Sequence, residues 1–167
     1  MVKSAEDILK EAILLERRGK AFYTTAARQT QSEAARKIFT MMADEEDEHI
    51  EFLSRQFAHY QKSHDFLATE THVDDHQEEI AMSVLSDEIK RQINAAGFEA
   101  AAISAAMDFE TRAVKIYSER AEMATDPNEK AMYGMLADWE KGHHKWLHKI
   151  NEDLKETIWY DNNFWPF

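Results

Sequence analysis

No cysteine occurs anywhere in the 167 residues. That absence excludes disulfides, thiolate metal sites, iron–sulfur centres and thiol catalysis, and it is compatible with a reducing compartment. Glycine and proline are nearly as scarce, at four and two residues. A turn-rich β fold needs more of both, so the composition points to an all-helical protein. No run approaches the ~18 apolar residues of a membrane span. Met1–Lys10 is charged and helix-like, with no apolar leader. The expected protein is soluble and cytoplasmic. Positive charge is the minority sign: 20 Lys and Arg stand against 32 Asp and Glu, a formal net charge of −12. An acidic surface of this strength repels nucleic acid and anionic membrane, so neither is an expected partner.

What is present is a repeated set of metal-ligand residue types. Glu16 precedes Glu46 and His49, and at an offset of 94 positions Glu110 precedes Glu140 and His143. The surroundings repeat as well. Ala12, Arg18, Tyr23 and Ala27 match Ala106, Arg112, Tyr117 and Ala121. Met41, Ala43, Asp44 and Leu53 match Met135, Ala137, Asp138 and Leu147, and Ser32 matches Asp126. This is a duplicated helical hairpin. With 44% hydrophobic residues the chain can build a core, and its length suits one domain.

The first helix is expected to start at Ser4, an N-cap followed three residues later by Asp7, and to reach about Arg28. The second runs from about Glu33 to Gln61, and the third from Phe98, just after Gly97, to about Thr125. Asp126-Pro127, with Glu129 completing a capping box, starts a fourth that ends near Glu156. Residues 62–97 are too long for a tight turn and carry their own helical pattern in Ile80, Val84, Leu85, Ile89 and Ile93. The expected domain spans 1–158, with hairpins 4–61 and 98–156 joined by the crossover 62–97, and an aromatic tail follows at 159–167.

About Ser32 as the turn, Glu16 and Glu46 both lie roughly 21–24 Å away at ~1.5 Å rise per residue, and so at one height on antiparallel helices. The same holds for Glu110 and Glu140 about Asp126. Each Glu-x-x-His places both ligands on one helix face. Each carboxylate also interrupts an apolar stripe. Leu9, Ala12, Ile13, Gly19 and Tyr23 flank Glu16, with Lys20 the polar exception; Phe39, Met42, Ala43, Ile50 and Leu53 flank Glu46. Ile103, Ala106, Met107, Ala113, Val114 and Tyr117 flank Glu110; Tyr133, Leu136, Ala137 and Leu147 flank Glu140. Four unpaired buried carboxylates are very costly; protonation or pairing is the usual escape, and two bound divalent metals offer another. In the run Asp44–Glu48 only Glu46 has apolar surroundings, and the other four are expected in solvent.

These residues resemble the ferritin-like superfamily, nearest to the rubrerythrin family. The match covers Ser4–Gln61 and Phe98–Glu156 and rests on Glu16, Ala43–His49, Glu110 and Glu140–His143. The resemblance implies a four-helix bundle with a left-handed crossover and a dinuclear non-haem iron centre. In it Glu46 and Glu140 bridge the metals, Glu16 with His49 holds one ion, and Glu110 with His143 holds the other. Three departures stand out. There is no rubredoxin-like domain with four Cys, which in the family donates electrons. Ala113 stands where rubrerythrins usually carry a further ligand Glu, and His143 where they often have Glu. The implied set of four Glu and two His is closer to that of bacterioferritin, although the tail lacks the fifth helix of a ferritin cage.

Tyr23 and Tyr117 each follow a ligand Glu by seven residues, and helical side chains lean toward the N-terminus, so both rings lean toward the metals. They are candidates to hydrogen-bond a carboxylate or pass an electron; packed aromatics are the alternative. Arg18 with Asp44, and Arg112 with Asp138, sit at matching heights and are expected as weak surface pairs. His72, Asp75, His76 and Glu79 have one-face helical spacing, as do His144 and His148, but neither group has a second element to close a zinc site. His59 and His64 are expected in solvent. The tail Trp159–Phe167 is expected to pack on its own domain or on a dimer mate rather than on another partner.

The sequence therefore points to an all-α ferritin-like bundle holding two iron ions, with manganese or zinc also compatible with mixed oxygen and nitrogen ligands. Its expected activity is non-haem diiron oxidoreductase chemistry of peroxidase or ferroxidase type. The expected partners are O2 or hydrogen peroxide, an unidentified electron donor, and a second copy of the chain. A non-catalytic metal-binding or storage protein is the main alternative, and a helical interaction module built round the tail the lesser one.

Overall fold

The computed structural model describes residues 4–69, 88–89, 91–92 and 97–160, with side chains through 156. Four helices and no strand are found among them: α1 (Ala5–Gln29), α2 (Glu33–Ser63), α3 (Phe98–Met123) and α4 (Pro127–Tyr160). They form two antiparallel hairpins, α1–α2 and α3–α4, as the duplication requires, and the whole is a ferritin-like four-helix bundle. The described part of the crossover includes a helical Glu88-Ile89 and Arg91-Gln92. Ile89 is buried there. Ile80, Val84, Leu85 and Ile93 lie outside the described residues, as do His72, Asp75, His76 and Glu79.

Local chemistry sets the helix ends. Ser4 Oγ accepts from Asp7 N–H at 3.2 Å, and Ser32 Oγ from Ala35 N–H at 3.1 Å. Asp126 Oδ1 accepts from the N–H groups of Asn128 and Glu129 at 2.8 and 3.0 Å. Each cap satisfies donors that the first turn leaves without an intrahelical partner. α2 ends at His64, whose left-handed φ of 59° turns the chain out of the helix. α4 continues four residues past the expected Glu156, so the first two residues of the aromatic tail have helical backbone. The side chains of the tail lie outside the described residues.

Side chains from the crossover and the hairpin ends lock the two halves together. Glu99, in the first turn of α3, accepts from Thr30 Oγ1 at 2.6 Å and Gln31 N–H at 3.1 Å in the α1–α2 turn. Gln92 Oε1 accepts from Ser32 Oγ and Ala34 N–H in the same turn. At the opposite end Gln56 forms an amide pair with the backbone of Leu67, and Asn128 Nδ2 donates to the Phe66 carbonyl.

Among the described residues the core forms two apolar clusters. One joins Tyr23, Ile38, Phe39, Met42, Ile89, Ile103, Leu147, Ile150 and Leu154. The other joins Leu9, Leu53, Phe66, Tyr117, Met132, Tyr133 and Leu136. Burying each large side chain stabilises by about 1.5–3 kcal/mol. Buried carboxylates and histidines lie between the two clusters along each helix. Elsewhere the ionic contacts are exposed and weak, such as Lys20–Asp47 at 2.6 Å between α1 and α2. The proposed Arg18–Asp44 and Arg112–Asp138 pairs are not formed among the described contacts. Asp138 instead meets Lys141 on its own helix, and Arg112 donates to the Asp108 carbonyl. No described helix is long and apolar enough to cross a membrane.

Candidate metal centre

α1 contributes Glu16, α2 Glu46 and His49, α3 Glu110, and α4 Glu140 and His143. None is more than 5% exposed. The structure brings all six together in two overlapping groups of four. Glu16, Glu46, His49 and Glu140 each offer a ligand atom within 4.8 Å of the others, and so do Glu46, Glu110, Glu140 and His143. Glu46 and Glu140 belong to both. His49 Nδ1 lies 3.1 Å from Glu16 Oε2, to which it donates, and 3.1 Å from Glu140 Oε1 without hydrogen-bond geometry. His143 Nδ1 lies 3.4 Å from Glu140 Oε2 and 3.7 Å from Glu110 Oε1. The two imidazoles stack, centroids 5.5 Å apart.

The tyrosines reach the carboxylates, and they do so across the bundle. Tyr23 of α1 donates its hydroxyl hydrogen bond to Glu110 of α3, and Tyr117 of α3 donates to Glu16 of α1. Each is fully buried. Burial and the facing carboxylates hold both phenols well above their ordinary pKa, so they keep their protons and act as donors. A groove of about 590 Å³ between α1 and α3 reaches Tyr133, which stacks on Tyr117, but none of the six clustered side chains lines it.

Both oxygens of Glu46, both of Glu140, Glu110 Oε2 and His143 Nδ1 are buried without a hydrogen-bond partner. Orphaned buried polar atoms are rare and costly. Here they converge on one spot, and they are carboxylate oxygens and an imidazole nitrogen, donors suited to iron, manganese or zinc. Four carboxylates balance two divalent ions in charge. The residues present therefore fit a pair of metal ions.

Without metal the cluster is held by protons. Burial, then the neighbouring Glu16 and Glu140, push Glu46 up to about 12. Burial also raises Glu110, to about 8, against the opposing pull of His143. Burial alone would lower His49, but Glu140 and Glu16 outweigh it and raise the ring to about 9. His143 rises for the same reason, through Glu110, Glu140 and Glu45. Glu140 is the exception: the two histidines outweigh its burial and hold it well below the usual carboxylate range. One carboxylate thus keeps its charge between two imidazolium rings while its neighbour Glu46 is protonated.

Three contributors were not legible as such in the sequence. Gly19 gives Glu46 its room: a Cβ there would sit 2.8 Å from Glu46 Oε1 and 2.9 Å from Phe109 Cε1. Gly19→Ala is therefore expected to push the Glu46 carboxylate out of place and weaken metal binding at least tenfold, with helix content by circular dichroism unchanged. Unaltered affinity by calorimetry would show that the site tolerates the methyl group. Glu45, expected in solvent with its acidic neighbours, is only 18% exposed, and its Oε2 lies 2.5 Å from His143 Nε2. Trp139 stacks on His49 with centroids 4.8 Å apart and planes 10° from parallel. The one signal for both was that 45 and 139 are equivalent positions of the duplication, and an aromatic at the second argues that the slot faces inward.

Among the described residues, the other histidines stay outside the cluster. His144 and His148 stack on each other near the surface, and His59, rather than being free in solvent, pairs with Asp65 at 2.7 Å.

An all-helical bundle with carboxylates and histidines gathered between two hairpins defines the class of ferritin-like carboxylate proteins. The family model described as Rubrerythrin matches residues 7–151. The chain belongs to the rubrerythrin family. No curated protein and no solved structure matches it. Family membership and a carboxylate–histidine cluster able to hold metal together support a diiron-type protein.

Proposed function

We propose that the chain holds two iron ions and uses them to oxidise ferrous iron or to reduce peroxide or O2. The overlap of two four-residue groups at Glu46 and Glu140 carries this reading. In it Glu16 and His49 hold one ion, Glu110 and His143 hold the other, and Glu46 and Glu140 are shared. Manganese or zinc would satisfy the same donors. When bound, an iron pair supplies two-electron redox chemistry close to a Lewis-acidic centre. The residues of the chain do the rest. The crossed tyrosines orient the terminal carboxylates Glu16 and Glu110 by donating to them. The apolar clusters on either side keep bulk water from competing for the ligands. An electron donor from outside the chain, a reducing cytoplasmic setting and a homodimer complete the proposal. The exposed Leu14, Ile116 and Met123 of α1 and α3 offer apolar surface for a dimer mate.

The near-complete burial of all six side chains also suits a protein that holds metal without turnover. Stopped-flow mixing of the anaerobic ferrous protein with hydrogen peroxide separates the two. Oxidation within seconds, followed by re-reduction with an added donor, is the expected result. A ferrous protein inert for minutes would leave metal holding as the function.

A further inference from the structure

The duplication repeats all six ligand positions, but it does not repeat the residues that stand behind the two histidines. Residue 45, one place before the Glu of the first Glu-x-x-His, is glutamate, and residue 139, its equivalent in the second, is tryptophan. Each side chain reaches across to the histidine of the other hairpin. Glu45 meets the outer nitrogen of His143 at 2.5 Å, and Trp139 lies flat against His49. Trp139 is itself held edge-on by Phe52, centroids 5.7 Å apart, so its stacking geometry is supported from behind.

We propose that the Glu45/Trp139 pair makes the two metal positions unequal, so that the position built on Glu110 and His143 fills first and the one built on Glu16 and His49 fills second. This rests on the reading that the six side chains hold a metal pair. A carboxylate behind a ligating imidazole accepts its outer N–H, fixes the tautomer with the inner nitrogen's lone pair free, and makes that nitrogen a stronger donor. His143 is arranged for this. Its Nδ1 is buried, faces Glu110 and Glu140, and has no hydrogen-bond partner, while Glu45 stands at Nε2. Glu45 Oε2 is within ion-pair reach of Nε2.

His49 has the opposite arrangement. Its Nδ1 also faces two carboxylates, Glu16 and Glu140 at 3.1 Å, but its ring face lies on the indole and no described carboxylate stands at its Nε2. An indole face accepts no hydrogen bond in the ring plane. The slot from which a carboxylate would reach the ring is filled by that indole, so His49 gains no acceptor there to fix its tautomer. Glu45 is thus a positioning residue for the tight position, and Trp139 holds the weak position weak.

The test is calorimetric and spectroscopic titration of the full-length, metal-free protein with cobalt(II) alone, whose visible absorption reports its coordination. The wild type should bind two equivalents in separate steps at least tenfold apart. The tight step should survive Glu16→Ala and disappear in Glu110→Ala. Glu45→Ala should weaken the tight step by about 10–100-fold, the usual effect of removing such a partner, and leave the other step within about twofold. Glu45→Gln, which keeps an acceptor of the same shape, should restore part of the loss. Trp139→Glu should tighten the weak step. Two equivalents of equal affinity, or equal weakening of both steps by Glu45→Ala with no recovery in Glu45→Gln, would overturn the inference while leaving the metal pair intact. No binding of cobalt(II) to the wild type would overturn the metal pair itself, and the inference with it.

Discussion

Removing the metal should cost the protein more thermal stability at pH 8.5 than at pH 5. The metal-free cluster is held by protons, and those protons fix the sign. Glu46 and Glu110 have folded-state values raised to about 12 and about 8 from an ordinary 4.5. The stability linked to them is fully present below pH 4.5 and is lost as pH climbs toward the folded values. His49, raised to about 9 from 6.5, contributes fully below pH 6.5 and loses its contribution as pH rises through about 9. His143 shifts in the same direction. Glu140 alone is lowered, so its contribution is present above pH 4.5 and fades only in stronger acid. The metal-free protein should therefore be most stable near pH 5 and decline into the alkaline range.

Metal binding reverses the trend, because carboxylates and imidazoles must give up their protons to ligate. The stabilisation that metal adds should grow with pH. At ~1,000-fold excess over Kd it is worth about 4 kcal/mol, or roughly 10 °C in a domain of this size. Calorimetric melting of both forms at pH 5, 7 and 8.5 measures the gap. A gap that stays constant or narrows with rising pH would show that the cluster is not proton-held when empty of metal.

The second large effect concerns the two shared carboxylates, which should behave alike with metal and oppositely without it. Glu46→Gln and Glu140→Gln should each lower bound metal from two ions per chain to one or none, whereas Glu16→Gln and Glu110→Gln should each remove only one. Metal-free stability should then tell the shared pair apart. Glu140 is the charged partner of two buried imidazolium rings, and cutting a buried ion pair on one side costs about 3–5 kcal/mol. Metal-free Glu140→Gln should melt roughly 10 °C lower than the wild type. Glu46 is already protonated in that state, so Glu46→Gln exchanges one neutral group for another of the same shape and should melt within a few degrees of it. Metal analysis of each variant, with melting curves after chelation, checks both halves. Unchanged stoichiometry in Glu46→Gln and Glu140→Gln would remove the case for sharing.

The hairpins were legible because their signals are local. Ser4, Ser32 and Asp126-Pro127 cap helices whose first turns lie beside them in the chain, and the apolar stripes repeat with the helical period. The convergence of Glu16, Glu46, His49, Glu110, Glu140 and His143 was legible for a related reason. Equal distances from a turn give equal heights on antiparallel rods, and an acidic residue inside an apolar stripe must point where the stripe points. Arg18 and Asp44 show the limit of that arithmetic. They share a height, yet no described contact joins them, because height does not set the direction of an exposed side chain.

From the sequence alone came the class of fold, the duplication and the residue types that meet at its centre. These depend on spacing within one helix or across one short turn, where chain geometry leaves few alternatives. Only the tertiary structure decided what crosses between the hairpins. Tyr23 serves Glu110 rather than its own Glu16, Glu45 reaches His143, Trp139 covers His49, and Gly19 clears space for Glu46. Partners of this kind lie dozens of residues apart. Which of them touch depends on the relative rotation and approach of packed helices, a property of the assembled core that no periodicity along the chain encodes.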